Sequence, residues 1–163
     1  MILLGLGANL PSRVGPPVAT LEAALKALEA GGVKIVARSR WYRTAPVPAS
    51  DQPWFVNGVA RIETGLLPND LLALMQKIEL SFGRQRGVPN AARTLDLDIL
   101  DYDGRVEAGP PLVLPHPRLQ ERAFVLLPLA DVAPDWVHPT LGLSVASLIR
   151  GLPASQKGEP IGP

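Results

Sequence analysis

Cysteine is absent from the 163 residues. That excludes disulfides, thiolate metal centres and a cysteine nucleophile. The chain has two histidines, His116 and His138, too few to build a zinc site without cysteine. Aromatic residues make up 5% and the net charge is +1. Neither a stacking platform nor a broad basic face for nucleic acid is therefore expected. No apolar run approaches the length of a membrane span. No secretory signal opens the sequence, so a cytoplasmic location is expected. The phosphate-cradling pattern G-x-x-x-x-G-K-[ST] is missing, and "GLGANL" holds only the first two glycines of a dinucleotide fingerprint. A nucleotide handled by this chain must have its phosphates held by metal ions and arginines.

A composition of 47% hydrophobic and 19% charged residues suits one globular domain with a sizeable core. No composition break suggests a boundary. Residues 1–150 are read as a single domain and 151–163, "GLPASQKGEPIGP", as a flexible tail. Ile2–Leu6 is a short apolar run and reads as a buried strand. Gly5 and Gly7 share one of its faces, where something can approach the backbone closely. Leu21, Leu25 and Leu28 recur at helical spacing between Pro16 or Pro17 and Gly31. "VKIVARSRWYRT" and "WFVNGVARIE" alternate as strands do, the first with Ile35, Ala37 and Trp41 on one face. Leu71, Leu74, Met75, Ile78 and Phe82 mark a second helix, which Asn69 can cap and Gly83 can close. "TLDLDIL" is a strand, and a short helix is expected from about Leu119 to Leu129. The order β-α-β-β-α-β with a helical C-terminal part predicts an α+β fold of the split β-α-β (ferredoxin-like) kind, an antiparallel sheet packed with helices in three α/β/α layers.

The strand "RTLDLDIL" places two aspartates in an apolar run. Residues i and i+2 of a strand face the same way, about 6.6 Å apart along the chain. Asp96 and Asp98 thus point together, and Leu95, Leu97 and Ile99 pack behind them. Two carboxylates so close repel unless a cation lies between them. Mg²⁺ takes one or two carboxylates plus substrate phosphates. The solvated outer face of an edge strand is the plainer alternative. Arg84, Arg86 and Arg93 bracket the pair, and guanidinium forks beside metal-binding carboxylates make a phosphate clamp. Gln76 and Glu79 share a helix face off the apolar stripe. Phe55 and Asn57 share a strand face, an aromatic plane beside an amide that suits a flat heterocycle. His116, in "LPHPRLQERAF", has its direction fixed by flanking prolines, and Arg122 and Phe124 follow.

These landmarks occur in the order "GLGANL", "YRTAPV", "DQPWFVN", "QKIELSFGR", "ARTLDLDIL", "LPHPRLQERAFVLLPL". Together they resemble 6-hydroxymethyl-7,8-dihydropterin pyrophosphokinase, over the span from "LLGLGANL" to about Asp135. The resemblance implies a folate-pathway transferase that moves pyrophosphate from its co-substrate ATP to a pterin alcohol. It implies that Asp96 and Asp98 ligate two Mg²⁺ ions. It implies a pterin pocket of Thr44, Pro46, Val47, Phe55, Asn57 and Phe124, with the ring between the two phenylalanines. It implies ATP contacts from Gln76, Glu79, Arg86, Arg93, His116 and Arg122, with Arg84 and Arg93 neutralising charge during transfer. The arginine-rich loop is then a lid, which here reads "VPNAAR" where relatives often carry a tryptophan. No obligate protein partner is expected. Two other readings use the same residues: a metal-dependent phosphohydrolase with water as nucleophile, and a non-catalytic nucleotide- or RNA-binding module.

Overall fold

A computed structural model of the chain describes residues 1–46, 49–84, 92–156 and 158–161. Its elements run β1 (Ile2–Ala8), α1 (Pro17–Ala30), β2 (Val33–Arg38), β3 (Tyr42–Thr44), β4 (Phe55–Thr64), α2 (Pro68–Ser81), β5 (Asp96–Tyr102), β6 (Glu107–Ala108) and β7 (Val113–Leu114). A 3₁₀ turn (Leu119–Glu121), α3 (Ala123–Val132), α4 (Val145–Arg150) and β8 (Gly158–Pro160) complete it. The main sheet is antiparallel with strand order β5-β1-β4-β3-β8, and β2 also pairs with β4. β6 and β7 form a separate hairpin. The chain is thus an α+β protein, an antiparallel sheet packed with helices.

Side-chain alternation sorts the strands' residues to two cores. Leu4, Leu6, Ala60, Ile62, Leu97 and Ile99 pack with the apolar faces of α1 and α2. Leu3, Val59 and Leu100 pack on the other face with α3, Trp136 and α4. Each helix buries the stripe its spacing marks: Leu21, Leu25 and Leu28 on α1, and Leu71, Met75 and Ile78 on α2. Among the described residues, no helix is long and apolar enough to cross a membrane.

The structure differs from the sequence reading in four places. The bulge in β2 between Ile35 and Ala37 breaks the alternation, so Ile35 joins the α1/α2 core and Ala37 the α3 core. Asn69 does not cap α2. Leu67 is the cap residue, with no side-chain bond, and Pro68 occupies the first turn, where its missing N–H leaves nothing unpaired. The C-terminal helix divides into the 3₁₀ turn and α3 at Arg122. The end of the chain, expected to be a flexible tail, is tied down. β8 pairs with β3, and the Ile161 amide donates to the Trp41 carbonyl at 2.8 Å. Its backbone groups find partners on the free edge of β3, a pairing that no side-chain pattern announces.

Candidate active site

β1 lies between β4 and β5, and its two glycines face the same way. Gly5 pairs with Asp98 on one side and Val59 on the other; Gly7 pairs with Asp96 and Asn57. The floor between the carboxylates and the amide therefore carries no side chain. A cleft forms there, lined by Gly5, Gly7, Asn57, Asp96, Asp98 and Phe124 among others. A Cβ at position 7 would stand 2.4 Å from Asn57 Oδ1, so only glycine leaves that side chain its place. The glycines' shared face and the aspartates' shared face are the same face of the sheet, as the strand period predicts.

The acidic pair is asymmetric. Asp96 Oδ1 accepts from Arg84 at 2.9 Å and from Arg93 at 3.1 Å. Among the described residues, no arginine or lysine contacts Asp98. Desolvation by the cleft walls, then the charges of Asp96 and Glu79, push its carboxyl up to about 8. Its side chain still keeps 38% of its surface exposed, on the cleft side. Among the described residues, no group of three or more acidic or imidazole side chains could form an all-protein cage. Two open carboxylates, one short of compensating charge, fit a hard divalent ion such as Mg²⁺ that completes its shell with substrate oxygens.

Glu79 belongs to this network. The sequence places it beside Gln76 on an exposed helix face, as a nucleotide contact. In the fold it is 2% exposed, pairs with Arg84, and accepts the Leu97 amide at 2.9 Å. It ties α2 to the aspartate strand and holds Arg84 against Asp96. Position 79 lies next to Ile78 and one helical turn beyond Met75, so α2 turns it under the end of β5. Gln76 is half-buried one turn earlier, and its side chain makes no hydrogen bond among the described residues.

His116 stands beside Asp98, with Nε2 4.0 Å from its Oδ1, too long for a hydrogen bond. Burial, and then the Arg122 cation, push it down to about 4, so it is neutral near pH 7. Its Nδ1 accepts the Arg118 amide at 3.3 Å, which leaves the proton on Nε2, directed at the site. Arg122 lies over the Phe124 ring, 5.2 Å from its centroid, at the start of α3. Desolvation and then Arg118 lower its pKa. Phe124 thus lines the cleft from the first turn of α3, with the Arg122 guanidinium over it, and Leu126 and Leu129 anchor the helix in the core.

The amide wall is built from buried pieces. Asn57 is 6% exposed and donates from Nδ2 to the Thr44 hydroxyl at 2.6 Å, with Thr44 itself 1% exposed. Phe55 pairs with Thr44 across β3 and β4, one alternation from Asn57, and does not line the cleft found here. Pro46 is buried beyond the end of β3. Val47 and Arg86 lie outside the described residues.

Two features escaped the sequence reading. Asn9, 3% exposed, accepts the Arg93 amide at 2.8 Å and donates to Gln52 Oε1 and the Pro53 carbonyl, both at 3.1 Å. It joins the end of β1, the loop before β4 and the arginine beside Asp96. An asparagine directly after a glycine-rich strand was the available signal. The second is Asp101. The bulge at Leu100 brings it to the α3 face, where it accepts Trp136 Nε1 at 2.7 Å.

The family model described as 7,8-dihydro-6-hydroxymethylpterin-pyrophosphokinase (HPPK) matches residues 3–134. A 2-amino-4-hydroxy-6-hydroxymethyldihydropteridine pyrophosphokinase of Pseudomonas aeruginosa is 46% identical over 153 residues, covering 93% of this chain and 91% of the relative. The protein of the same name from Methylorubrum extorquens is 44% identical over 135 residues, covering 82% and 83%. Longer relatives are matched in part: the chain spans 19% of the folic acid synthesis protein fol1 of Pneumocystis carinii, at 38% identity. Among solved structures, Plasmodium falciparum HPPK-DHPS superposes with a TM-score of 0.73 at 16% identity, over 91% of this chain and 44% of that one; at that identity it speaks for the fold alone. The glycine-floored cleft and the sequence matches agree: the chain belongs to the 7,8-dihydro-6-hydroxymethylpterin-pyrophosphokinase family.

Proposed function

We propose that the chain transfers pyrophosphate from ATP to 6-hydroxymethyl-7,8-dihydropterin, giving AMP and the pterin diphosphate, in folate synthesis. One observation carries the reading. The bare backbone of Gly5 and Gly7 separates carboxylates and arginines on one side from an oriented amide and an aromatic ring on the other. An anion-handling half and a heterocycle-handling half thus share one cleft.

Asp96 and Asp98 would hold Mg²⁺, and the family resemblance gives two ions. When bound, it supplies Lewis-acid activation of the pterin hydroxyl and offsets charge on the phosphate oxygens. The chain's own residues do the rest. Phe124 stacks on the pterin, with Phe55 as the second plane, while Asn57, its amide held by Thr44, reads the ring's polar edge; Pro46 and Val47 belong to the same pocket by the family resemblance. Arg84 and Arg93, gathered at Asp96, release toward the phosphates and stabilise the charge that builds on them. Arg86, Arg122, Gln76 and the neutral His116, through its Nε2 proton, complete the nucleotide contacts. Glu79 acts from beneath by holding Arg84. Exclusion of water would keep the hydroxyl as acceptor; residues 85–91 of the arginine-rich loop, a lid by the family resemblance, lie outside the described residues. We read the strand order, with β5 beside β1 and β4 on its other side, as the ferredoxin-like split β-α-β in three layers. A single catalytic domain whose sheet includes β8, acting in the cytoplasm without an obligate protein partner, belongs to the same proposal.

The test is incubation with ATP and Mg²⁺, with and without the pterin, followed by identification of the nucleotide product. AMP that forms only with pterin supports the proposal. Turnover without pterin favours a phosphohydrolase and overturns it. Chelation with EDTA should abolish turnover and added Mg²⁺ restore it. Asp96→Ala and Asp98→Ala should each remove turnover and leave the fold intact.

A further inference from the structure

α3 carries Phe124 in its first turn, yet it begins without a cap of its own: the cap residue Arg122 makes no side-chain bond to the helix. The missing acceptor comes from far along the chain. Gln156 Oε1 accepts the Ala123 amide at 2.8 Å, and Gln156 Nε2 donates to the Glu121 carbonyl at 2.6 Å. One side chain therefore grips both strands of the kink that joins the 3₁₀ turn to α3. Two residues later the chain becomes β8, and Gly158 pairs with Thr44. The fit there is close: a Cβ on Gly158 would meet Leu127 Cδ1 of α3 at 3.0 Å and Thr44 Cγ2 at 3.1 Å. Thr44 in turn orients Asn57. The end of the chain thus touches both walls of the cleft, the aromatic wall through Gln156 and the amide wall through β8.

We propose that Gln156 is a positioning residue for the pterin site, capping α3 so that Phe124 keeps its angle to the cleft, with β8 bracing Thr44, which orients Asn57. This rests on the reading above that Phe124 and Asn57 hold the pterin. The body of α3 does not need the cap to stay folded, because Leu126 and Leu129 are fully buried and anchor it. Loss of the cap is felt at the first turn, where the half-buried ring stands. Arg84, Arg93 and Asp96 are held to one another and to Glu79 on the far side of β1, out of reach of this strap.

The experiment compares the full chain with Gln156→Ala and, separately, Gly158→Ala. Equilibrium binding of 6-hydroxymethyl-7,8-dihydropterin and of MgATP is measured for each, then KM and kcat. If the cap's worth falls wholly on the first turn, Gln156→Ala weakens pterin binding and raises pterin KM about five-fold. Arg122 lies between the two bonds that Gln156 makes, but MgATP keeps the other contacts proposed above, so its affinity falls less than two-fold, and kcat stays within two-fold. Gly158→Ala, which pushes β8 off Thr44, gives the same split between the two substrates. Pterin affinity unchanged in both variants overturns the inference and leaves the proposed function standing. So does an equal loss of pterin and MgATP affinity, which would indicate general loosening. Failure of the unaltered chain to bind the pterin overturns the proposed function, and this inference with it.

Discussion

Truncating Glu79 to alanine tests whether the carboxylate on α2 is framework or nucleotide contact. The side chain is 2% exposed, and its partner Arg84 is 13% exposed. One oxygen, Oε2, takes both the Arg84 guanidinium and the Leu97 amide. Glu79→Ala leaves Arg84 with Asp96 as its remaining carboxylate among those described here, and strands the Leu97 N–H. Breaking a buried pair by removing one partner costs about 3–5 kcal/mol. A stranded buried amide costs about 1–3 kcal/mol. Because a single oxygen serves both contacts, the two losses overlap, and about 4 kcal/mol is expected. Set against a usual stability of about 5–15 kcal/mol, the variant should still fold at 25 °C with a much lower denaturant midpoint. Glu79→Gln keeps an acceptor for Leu97 and gives up the charge, so about 2 kcal/mol is expected. Urea unfolding of the three proteins measures this directly. A loss below about 1 kcal/mol for Glu79→Ala, together with a raised KM for ATP, would refute the framework role. It would return Glu79 to the solvent-facing position that helix spacing suggested.

Asp98 makes stability depend on pH in metal-free solution. The fold keeps its proton up to about pH 8, whereas the unfolded chain releases it near an ordinary aspartate value. The folded form binds the extra proton between those limits, so stability falls as pH rises from about 4 to about 8. Asp98→Asn removes that slope: its melting temperature should exceed the unaltered protein's at pH 8.5 and converge with it near pH 4. Equal values at both pH values would contradict the crowding of charge described here. Gly7→Ala puts a methyl 2.4 Å from Asn57 Oδ1, whose amide is already tied to Thr44. About 1–3 kcal/mol of overpacking is expected, with a raised pterin KM, and unchanged steady-state kinetics would show that Asn57 has room to move. His116, pushed down to about 4, should show no imidazole titration by NMR between pH 5.5 and 8. A midpoint near 6.5 would mean that it stands in water rather than against Arg122.

What could be read in advance was local. A strand repeats every two residues, so Asp96 and Asp98 had to share a face, with Leu97 and Ile99 on the other. The same period put Gly5 and Gly7 together, and the leucine spacing of α1 and α2 named their buried stripes. The arginines near the acidic pair were visible as neighbours in sequence, and Arg84 and Arg93 do reach Asp96. Glu79 was misread because spacing tells which side of a helix a residue occupies, and not what later packs over that side. The bulges at Val36 and Leu100 were invisible for a related reason. An inserted residue in a strand shows only when the partner strand is laid beside it, and it then carries Ala37 and Asp101 to the opposite face.

Composition and period alone therefore determined the acidic pair, Arg93 three residues before it, the shared face of Gly5 and Gly7 and the apolar stripes of the helices, because each depends on steps of two to four residues along one chain. Tertiary structure alone decided that Asn57 would face those aspartates across β1, that Asn9 would tie the loop before β4 to Arg93, and that Gln156 would cap α3. These contacts join residues 33 to 84 positions apart, and such pairings depend on strand order and register, which only the assembled sheet sets.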